Sequence, residues 1–353
     1  MKIKVSISFI FLVLGIFLCI NCAWSGDLFA VIGGGKRYKR TVVVSPVPGN
    51  QLASGNALLA ALNNISGQSA TNTYLLKIEP GIYELSSTSH LIMKEYVDIE
   101  GSGELNTIIT RTGAGNVDAH TLLGANNAEL RFLTVRNTGD GWGWAIAIRV
   151  ENTAPRLIHV TAEAMGVGGG DIYGIYCLSG ASPVMKDVTA RATGGGQNFG
   201  IWTYGCNLVM DNVSGIANGI TVSAGMRIGN SNVTMIHCTS LATGGATSAG
   251  IFGTGSSQST VNIDNCTISG SGGTNNYGIL SDCYTTVYVT NSQISGSTNT
   301  IKLRAGSDAG RVGSSLLDGG PVYTEGGATC TCAGVSDGSY TFYPDTCPPP
   351  PPP

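Results

Sequence analysis

A repeat of about 26 residues constrains the fold of this 353-residue chain more than any other feature. One core position returns with steps of 28, 25, 25, 28 and 26 residues, at Val160, Val188, Val213, Cys238, Cys266 and Ser292. A second position keeps a similar period, at Ile146, Ile175, Ile201, Met226, Ile251 and Ile279. Apolar and polar residues alternate inside each repeat, and Gly-rich segments separate the alternating stretches. This pattern indicates one coil of several short strands per repeat rather than helices.

Coils of short strands stack through parallel pairing at a spacing of about 4.8 Å, so about eight coils between Ala128 and Gly320 would extend for about 40 Å. The missing Leu-rich consensus excludes a leucine-rich solenoid, and the repeat is too short for a propeller blade. The sequence therefore predicts an all-β chain that folds as a right-handed parallel β-helix.

The composition agrees with that fold and excludes other classes. The 51 glycines lack the every-third-residue period of collagen, so they must punctuate short elements. Hydrophobic residues make up 42% of the chain, which is enough to fill a sizeable core. The net charge of -3 offers no basic surface, so no nucleic-acid partner is expected.

The period also divides the chain into segments. Apolar residues at helical spacing, Leu58, Leu59 and Leu62, predict a helix that covers the open hydrophobic end of the first coil. After Gly320 the period stops, and a segment with cysteines is expected to close the other end. The expected segments are a signal peptide (1–25), a lead-in (26–49), an N-cap helix (50–66), the parallel β-helix (67–320), a C-terminal cap (321–347) and a proline tail (348–353).

The first residues have the pattern of an export signal. Lys2 and Lys4 precede an apolar run over residues 5–20, and the small residues Ala23 and Ser25 stand before the expected cleavage site. The run is short for a membrane span of about 20 residues, so a cleaved signal is favoured over an anchor. A lipid-modified N-terminus is the remaining alternative. We expect an exported chain, extracellular, at the cell surface or periplasmic, with no stable membrane span in its mature part.

The residue before each core position is usually of a type that tolerates a left-handed backbone. These residues are His159, Asp187, Asn212, His237, Asn265 and Asn291. Stacked in register, they predict a polar ladder inside a sharp bend, in which each side chain bonds the one below. His159 and His237 are accordingly interpreted as ladder members rather than as catalytic bases.

Eight of the ten cysteines follow the expected signal, and an oxidising compartment permits disulfides among them. No cysteine spacing matches a zinc site, and neither a metal nor a cofactor is expected. Cys332 and Cys347 flank a segment with little core of its own, which favours a disulfide between them, with Cys330 as the alternative to Cys332. Cys238 and Cys266 share one core position on consecutive coils, where parallel Cβ vectors favour free thiols over a strained bond.

Two short turns in the early strands, Pro80-Gly81-x-Tyr83 and Gly101-x-Gly103, carry a family resemblance. Together with the helix before them, they resemble the opening coils of the pectin-lyase-like superfamily, over residues 41–320. The central repeats are also similar to uncharacterised bacterial exported proteins with right-handed parallel β-helix repeats. The first resemblance implies the β-helix fold, and the second implies export but no established activity.

The enzyme signatures of that superfamily are missing from the sequence. The Asp-Phe-Ile-Phe-Gly motif of pectin methylesterases and the Gly-His-Gly motif of polygalacturonases are absent, and residues 137–141 match the polygalacturonase Asn-Thr-Asp-Gly only superficially. No coil presents the adjacent acids of a pectate lyase calcium site. Asp140 and Asp171 lie in comparable Gly-rich turns, where ordinary surface loops are favoured over an acid dyad. No catalytic residue is therefore predicted.

One outward column is the strongest candidate for a binding surface. Because Ile175 and its equivalents point inward, their neighbours must point outward on successive coils. The candidate residues are Tyr176, Trp202, Tyr204, Arg227 and Phe252. They predict a flat aromatic face about 15 Å long, with a guanidinium inside it, suited to stacking on sugar rings. Aromatic side chains also stack on strands for stability alone, and this alternative stays open.

The sequence leaves two functions of different class open. The favoured one is an exported surface or binding protein that engages polysaccharide through this column. The alternative, implied by the resemblance, is a polysaccharide lyase or glycoside hydrolase of the pectin-lyase-like superfamily with an active site that no checked motif reveals. A structural role is expected for four further aromatic residues assigned to turns, Trp144, Tyr173, Phe199 and Tyr277.

Overall fold

The computed structural model describes residues 38–113, 115, 118–139, 141 and 143–348. The chain divides into two units between Lys39 and Arg40, and the second unit contains every helix and strand of the described residues. The expected signal peptide, most of the expected lead-in and the prolines from 349 onward lie outside the described residues. In the described part, no helix has the length and apolar character that a membrane crossing requires.

One helix, α1 (Gln51–Asn64), lies where the apolar spacing predicts it. Asn50 caps the helix, because its side-chain oxygen accepts a backbone N–H of the first turn at 2.9 Å. Leu58 is buried in the core of the solenoid. Gly55 permits close approach to the first coil, since a Cβ at this position would lie 1.8 Å from the carbonyl oxygen of Glu84. The helix therefore packs directly on the backbone of the first coil.

The described residues form thirty strands. Ten of them stack in one wall, called the ten-stranded wall below: β4 (Leu91–Ile92), β7 (His120–Leu123), β9 (Ala145–Glu151), β11 (Asp171–Leu178), β13 (Gln197–Tyr204), β15 (Val222–Gly229), β18 (Thr247–Thr254), β21 (Asn275–Ser281), β24 (Asn299–Leu303) and β27 (Val322–Thr324). The other twenty form the remaining walls: β1 (Arg40–Val44), β2 (Tyr74–Ile78), β3 (Gly81–Leu85), β5 (Val97–Glu100), β6 (Thr107–Thr112), β8 (Glu129–Thr138), β10 (Arg156–Met165), β12 (Val184–Thr193), β14 (Asn207–Asn218), β16 (Asn232–Ile236), β17 (Thr239–Thr243), β19 (Ser259–Asp264), β20 (Thr267–Ser271), β22 (Thr285–Thr290), β23 (Gln293–Gly296), β25 (Ala309–Gly313), β26 (Leu316–Gly319), β28 (Thr329–Ala333), β29 (Val335–Asp337) and β30 (Phe342–Tyr343).

Neighbouring coils pair in parallel, and their register follows the predicted period. Val160 pairs with Val188, which pairs with Val213. On the ten-stranded wall, Ile175 pairs with Ile201 in the same way. Among the described strands, only β29 and β30 pair antiparallel. The apolar side chains at these positions form one continuous core. The predicted all-β parallel β-helix is confirmed as a parallel β-solenoid of about nine turns.

The corner ladder has the predicted left-handed backbone. The φ angles of its six predicted members lie between 49° and 54°, and Phe132 and Ser314 extend the series with φ of 56° and 48°. Asn212 donates a hydrogen bond to Asp187 in the preceding coil at 2.6 Å, as predicted. The ladder does not lie inside the bend, however, because the next residue, such as Val188, fills the interior and leaves the ladder residue partly or fully exposed.

Parallel strand pairing is also present on both sides of residues 67–320. β1 pairs in parallel with β2, so strand pairing begins inside the expected lead-in. β27 and β28 pair in parallel with β24 and β25, so the stack continues past Gly320 into the expected cap. Terminal coils have a neighbouring coil on one side only, and their sequences depart from the repeat for that reason.

The cysteines of the described part occupy two kinds of position. A disulfide joins Cys332 on β28 to Cys347 near the end of the described chain. Cys238 and Cys266 are buried free thiols on consecutive coils, as the parallel Cβ vectors predict. The covalent link therefore lies at the last coil.

Candidate functional site

The outward side of the ten-stranded wall carries one side chain per coil at the predicted column. Tyr176 pairs with Trp202, Trp202 with Arg227, and Arg227 with Phe252. The register continues in both directions beyond the predicted residues. Toward the N-terminus, Leu123 and Ile92 precede Arg149 in the same register. We call the part of the series from β9 to β27 the outward column: Arg149, Tyr176, Trp202, Arg227, Phe252, Leu280, Lys302 and Tyr323. Aromatic and cationic side chains make up seven of its eight positions.

A second set of rings packs beside the outward column. Tyr173 and Phe199 lie on strands β11 and β13, in register with each other and fully buried, so their assignment to turns is wrong. The cause is a bend at Gly174, which has no register partner and interrupts the alternation of the strand. Tyr173 and Tyr176 consequently lie on the same side of the strand, with ring centroids 5.0 Å apart.

The two other aromatic residues assigned to turns have different positions. Trp144 lies at an isolated bridge just before β9, and its ring contacts Tyr173 edge-on at 5.3 Å between centroids. Tyr277 lies within β21 and packs with Ala249 and Leu280 in a separate small cluster. Both rings make the structural contacts that the sequence predicts, but Tyr277 does so from a strand.

The rings near the middle of the outward column form a compact stack. Trp202 lies at the centre, with ring centroids 5.0 Å from Tyr176, 5.2 Å from Tyr173 and 5.7 Å from Phe199. Tyr176 is only 7% exposed, so it offers little ring surface to a ligand. Trp202 is half-buried, and Tyr204 beside it is 43% exposed. The surface available to a ligand is thus the outer part of a partly buried ring cluster.

Among the described residues, Arg227 is the only cationic side chain inside the ring cluster. Its guanidinium carbon lies 4.7 Å from the ring centroid of Trp202, 5.0 Å from Phe199 and 5.6 Å from Phe252. Burial lowers the pKa of the guanidinium below its ordinary value. The charges of Asp171 and Asp282 act on it in the opposite sense, but the buried Nε has no hydrogen-bond acceptor among the described residues. The guanidinium of Arg227 therefore packs on ring faces.

Asp171 lies at the start of β11, beside the ring cluster. Its carboxylate accepts a hydrogen bond from the hydroxyl of Tyr173 at 3.1 Å. Burial raises the pKa of Asp171 above its ordinary value, although the Tyr173 hydroxyl and the charge of Arg227 lower it in part. Asp140, the other member of the acid dyad considered from sequence, lies outside the described residues. Asp171 occupies a strand instead of the expected Gly-rich turn.

The N-terminal part of the same wall contains titratable residues that the sequence analysis does not single out. Arg149, the first member of the outward column, pairs with Asp118 at 3.1 Å and with Glu151 at 2.7 Å. The rings of His90 and His120 lie 4.5 Å apart, and burial together with nearby arginines lowers the pKa of His90. Counting one repeat back from Tyr176 would have found Arg149. His90 precedes a two-residue strand and has no repeat signal.

Comparisons with known proteins return solved structures only. No protein-family model matches the sequence, and no curated protein matches it. The chain is similar to the pectin methylesterase PemA from Erwinia chrysanthemi, with 13% identity, 73% of this chain and 89% of that chain covered, and a TM-score of 0.39. It is also similar to the mannuronan C-5 epimerase AlgE6 A-module from Azotobacter vinelandii, with 16% identity, 78% of this chain and 95% of that chain covered, and a TM-score of 0.38. A third similar structure is the catalytic unit of the GH87 α-1,3-glucanase from Streptomyces thermodiastaticus, with 14% identity, 86% of this chain and 64% of that chain covered, and a TM-score of 0.41.

These structural neighbours are carbohydrate-active proteins with a parallel β-helix fold. The fold expected from the resemblance to the pectin-lyase-like superfamily is the fold of this chain. The assignment rests on the strand register described above, which is independent of the neighbours.

Proposed function

We propose that this protein is an exported binding or surface protein that engages polysaccharide through the outward column. The observation that carries the proposal is the half-buried ring cluster around Trp202, one side of which faces solvent. Sugar rings present C–H faces that pack on aromatic side chains, while their hydroxyls stay in contact with water. A ring held in place by stacked neighbours loses little conformational entropy when a ligand binds.

Arg227 indicates the charge of the ligand. A guanidinium binds carboxylates through two parallel hydrogen bonds, and the buried Nε of Arg227 has no acceptor among the described residues, although the charges of Asp171 and Asp282 act on the guanidinium. The rings of Trp202 and Phe252 lie 4.7 and 5.6 Å from its guanidinium carbon and hold the side chain beside the stack. A polysaccharide that contains carboxylated sugars would supply both the missing acceptor and the stacking faces. We therefore expect acidic polysaccharides to bind more tightly than neutral ones.

Asp171 favours the second candidate, a lyase or hydrolase that acts on the bound chain. A carboxyl with a raised pKa beside a ligand-binding cluster is a common position for a general acid or base. Glycoside hydrolysis needs two carboxyls or an equivalent base, and the sequence offers no recognised partner for Asp171. Binding without turnover is accordingly the conclusion that we prefer.

Incubation of the purified chain with matched polyuronides and neutral glycans tests both functions. Retention on immobilised polyuronide, with weaker retention on a neutral glycan of the same length, is the expected result. The same mixtures are assayed for new reducing ends and unsaturated products. Turnover that is lost in Asp171→Asn would establish the enzymatic alternative, and absence of retention on every glycan would overturn the binding proposal. Fractionation of the producing cells tests the export of the chain.

A further inference from the structure

The last coil brings three cysteines together. Cys330 and Cys332 lie two residues apart on β28, so their side chains point to the same side of the strand. The sulfur atoms of Cys330, Cys332 and Cys347 all lie within 4.8 Å of one another. It is the only group of three potential metal-ligating side chains at such distances in the described part of the chain.

These three sulfur atoms are not equivalent. Cys332 and Cys347 share the disulfide, and Cys330 is a free thiol packed against the core. Its register partner is Gly310, where a Cβ would lie 2.7 Å from the Cys330 sulfur. The equivalent partner of Cys332 is Val312. The glycine thus leaves room for a third sulfur directly beside the bond.

We propose that Cys330 makes this disulfide a thiol–disulfide exchange centre within the folded cap. The Cys330 thiolate attacks the Cys347 sulfur, so that a Cys330–Cys347 bond forms and the Cys332–Cys347 bond breaks. Cys332 leaves as a thiolate and takes up the proton that Cys330 lost. One disulfide and one thiol are present before and after the step, and no oxidant or reductant is needed. The chain end stays tied to β28 through either of two neighbouring residues.

The surroundings of Cys330 determine the pH dependence of the exchange. Burial raises the pKa of its thiol to about 11, so the thiolate is a minor species at neutral pH. Among charged groups on the packed neighbour β25, Arg311 points to the opposite side of the strand and is exposed. Asp308, just before β25, accepts backbone N–H groups of Thr285, Arg304 and Ala305. Below pH 11 the thiolate fraction rises about tenfold per pH unit, and the exchange rate should rise with it.

Non-reducing peptide mapping of the folded, full chain tests the proposal. The chain is incubated at pH 7 and pH 9, quenched with acid and alkylated. Trypsin leaves all three cysteines in one peptide because Arg311 is the last basic residue, so cleavage after Tyr340 must separate Cys347 from the other two. Fragment spectra then identify which cysteine of β28 carries the bridge. We expect the Cys330–Cys347 form to appear about 100-fold faster at pH 9 than at pH 7, at a rate independent of protein concentration.

Two variants make the test decisive. In Cys330→Ser, the Cys332–Cys347 bridge should persist unchanged at both pH values. In Cys332→Ser, Cys330 should take over the bridge while circular dichroism shows an unchanged β signal. A free Cys347 in folded Cys332→Ser would overturn the proposal. So would a single Cys332–Cys347 bridge in the wild type after long incubation at pH 9, or a Cys330–Cys332 bridge that releases the chain end.

Discussion

The sulfur of Cys266 accepts a hydrogen bond from the backbone N–H of Cys238 one coil earlier, at 3.3 Å. The same contact repeats in the following coils. The hydroxyl oxygen of Ser292 accepts a hydrogen bond from the backbone N–H of Cys266 at 3.0 Å, and that of Ser315 accepts one from the N–H of Ser292 at 3.1 Å. In the three preceding coils this core position is valine, at Val160, Val188 and Val213. The later coils therefore use buried side-chain acceptors at the corner, and the two free thiols have a structural role there.

Cys266→Val should destabilise the fold more than Cys266→Ser. Valine fills the space but leaves the buried N–H of Cys238 without its acceptor, which costs about 1–3 kcal/mol. Serine retains an acceptor, as Ser292 does one coil later. Denaturant unfolding of both variants measures the difference. Equal stability of the two variants would show that the sulfur serves only as a space-filling group.

Gly200→Ala should be strongly destabilising. An added Cβ would lie 2.4 Å from the backbone nitrogen of Ile216 and 2.6 Å from the carbonyl oxygen of Gly225. Both are backbone atoms of neighbouring strands, so neither can move without breaking pairing, and a cost of about 1–3 kcal/mol or more is expected. Gly141→Ala is the control, because a Cβ there meets no atom of the described residues within 4 Å. Thermal unfolding that shifts equally in both variants would contradict the steric argument.

Gly174 and Gly200 precede the inward residues Ile175 and Ile201, and they show how far the sequence could predict the ten-stranded wall. The period places Ile175, Ile201 and their equivalents correctly, because each coil must supply one apolar side chain to a shared core. Strict alternation along β11 would put Tyr173 on the same side as Ile175. The bend at Gly174 reverses that relation and brings Tyr173 next to Tyr176. A glycine does recur directly before the inward apolar residue, at positions 174, 200, 225, 250 and 278, but the repeat alone does not show that the strand alternation is interrupted there.

The corner ladder was predictable for a different physical reason. Few residue types adopt positive φ at low cost, so Asn and Asp at a fixed place in each repeat reveal the backbone conformation. Which side of the bend the side chains occupy depends on packing, which these residue types do not encode. Hydrogen-bond partners also vary, since His237 bonds Asp211 on the adjacent strand at 3.1 Å instead of the ladder residue below.

Asp171→Asn should change how stability depends on pH. Burial raises the pKa of Asp171 in the folded chain above its ordinary value of 3.8, so the folded state holds this proton more tightly than the unfolded state. The contribution of Asp171 to the free energy of unfolding is therefore greatest at low pH and is lost as the pH rises from 3.8 through the raised pKa. Asparagine keeps an acceptor for the Tyr173 hydroxyl and cannot ionise.

The free energy of unfolding of Asp171→Asn, relative to wild type, should accordingly increase across that pH range and then stay constant. Denaturant unfolding at closely spaced pH values measures this difference. A relative stability that is flat with pH would show that Asp171 titrates alike in the folded and unfolded chain.

Trp202→Ala should weaken binding of an acidic polysaccharide by about 1–3 kcal/mol, on the scale known for stacking of aromatic side chains on nucleic-acid bases. The variant also loses ring contacts with Tyr173 and Phe199, so its unfolding must be measured alongside. Tyr288→Ala is the matched control, because Tyr288 is an exposed ring below an arginine on a different wall. Reduced thermal stability with unchanged glycan retention would favour a purely structural role for the ring cluster.

Arg227→Lys should separate charge from geometry at the same site. Lysine keeps the positive charge but loses the planar fork and the stacking on Trp202 and Phe252, so affinity for a polyuronide should fall by about tenfold or more. Arg227→Met replaces the guanidinium with an uncharged, unbranched side chain. Binding by this variant should lose most of its salt dependence, since salt screens only the charged contact. Binding isotherms at low and high ionic strength distinguish these effects. If both variants bind polyuronide and neutral glycan as the wild type does, Arg227 is a packing residue and the preference for acidic ligands must arise elsewhere on the wall.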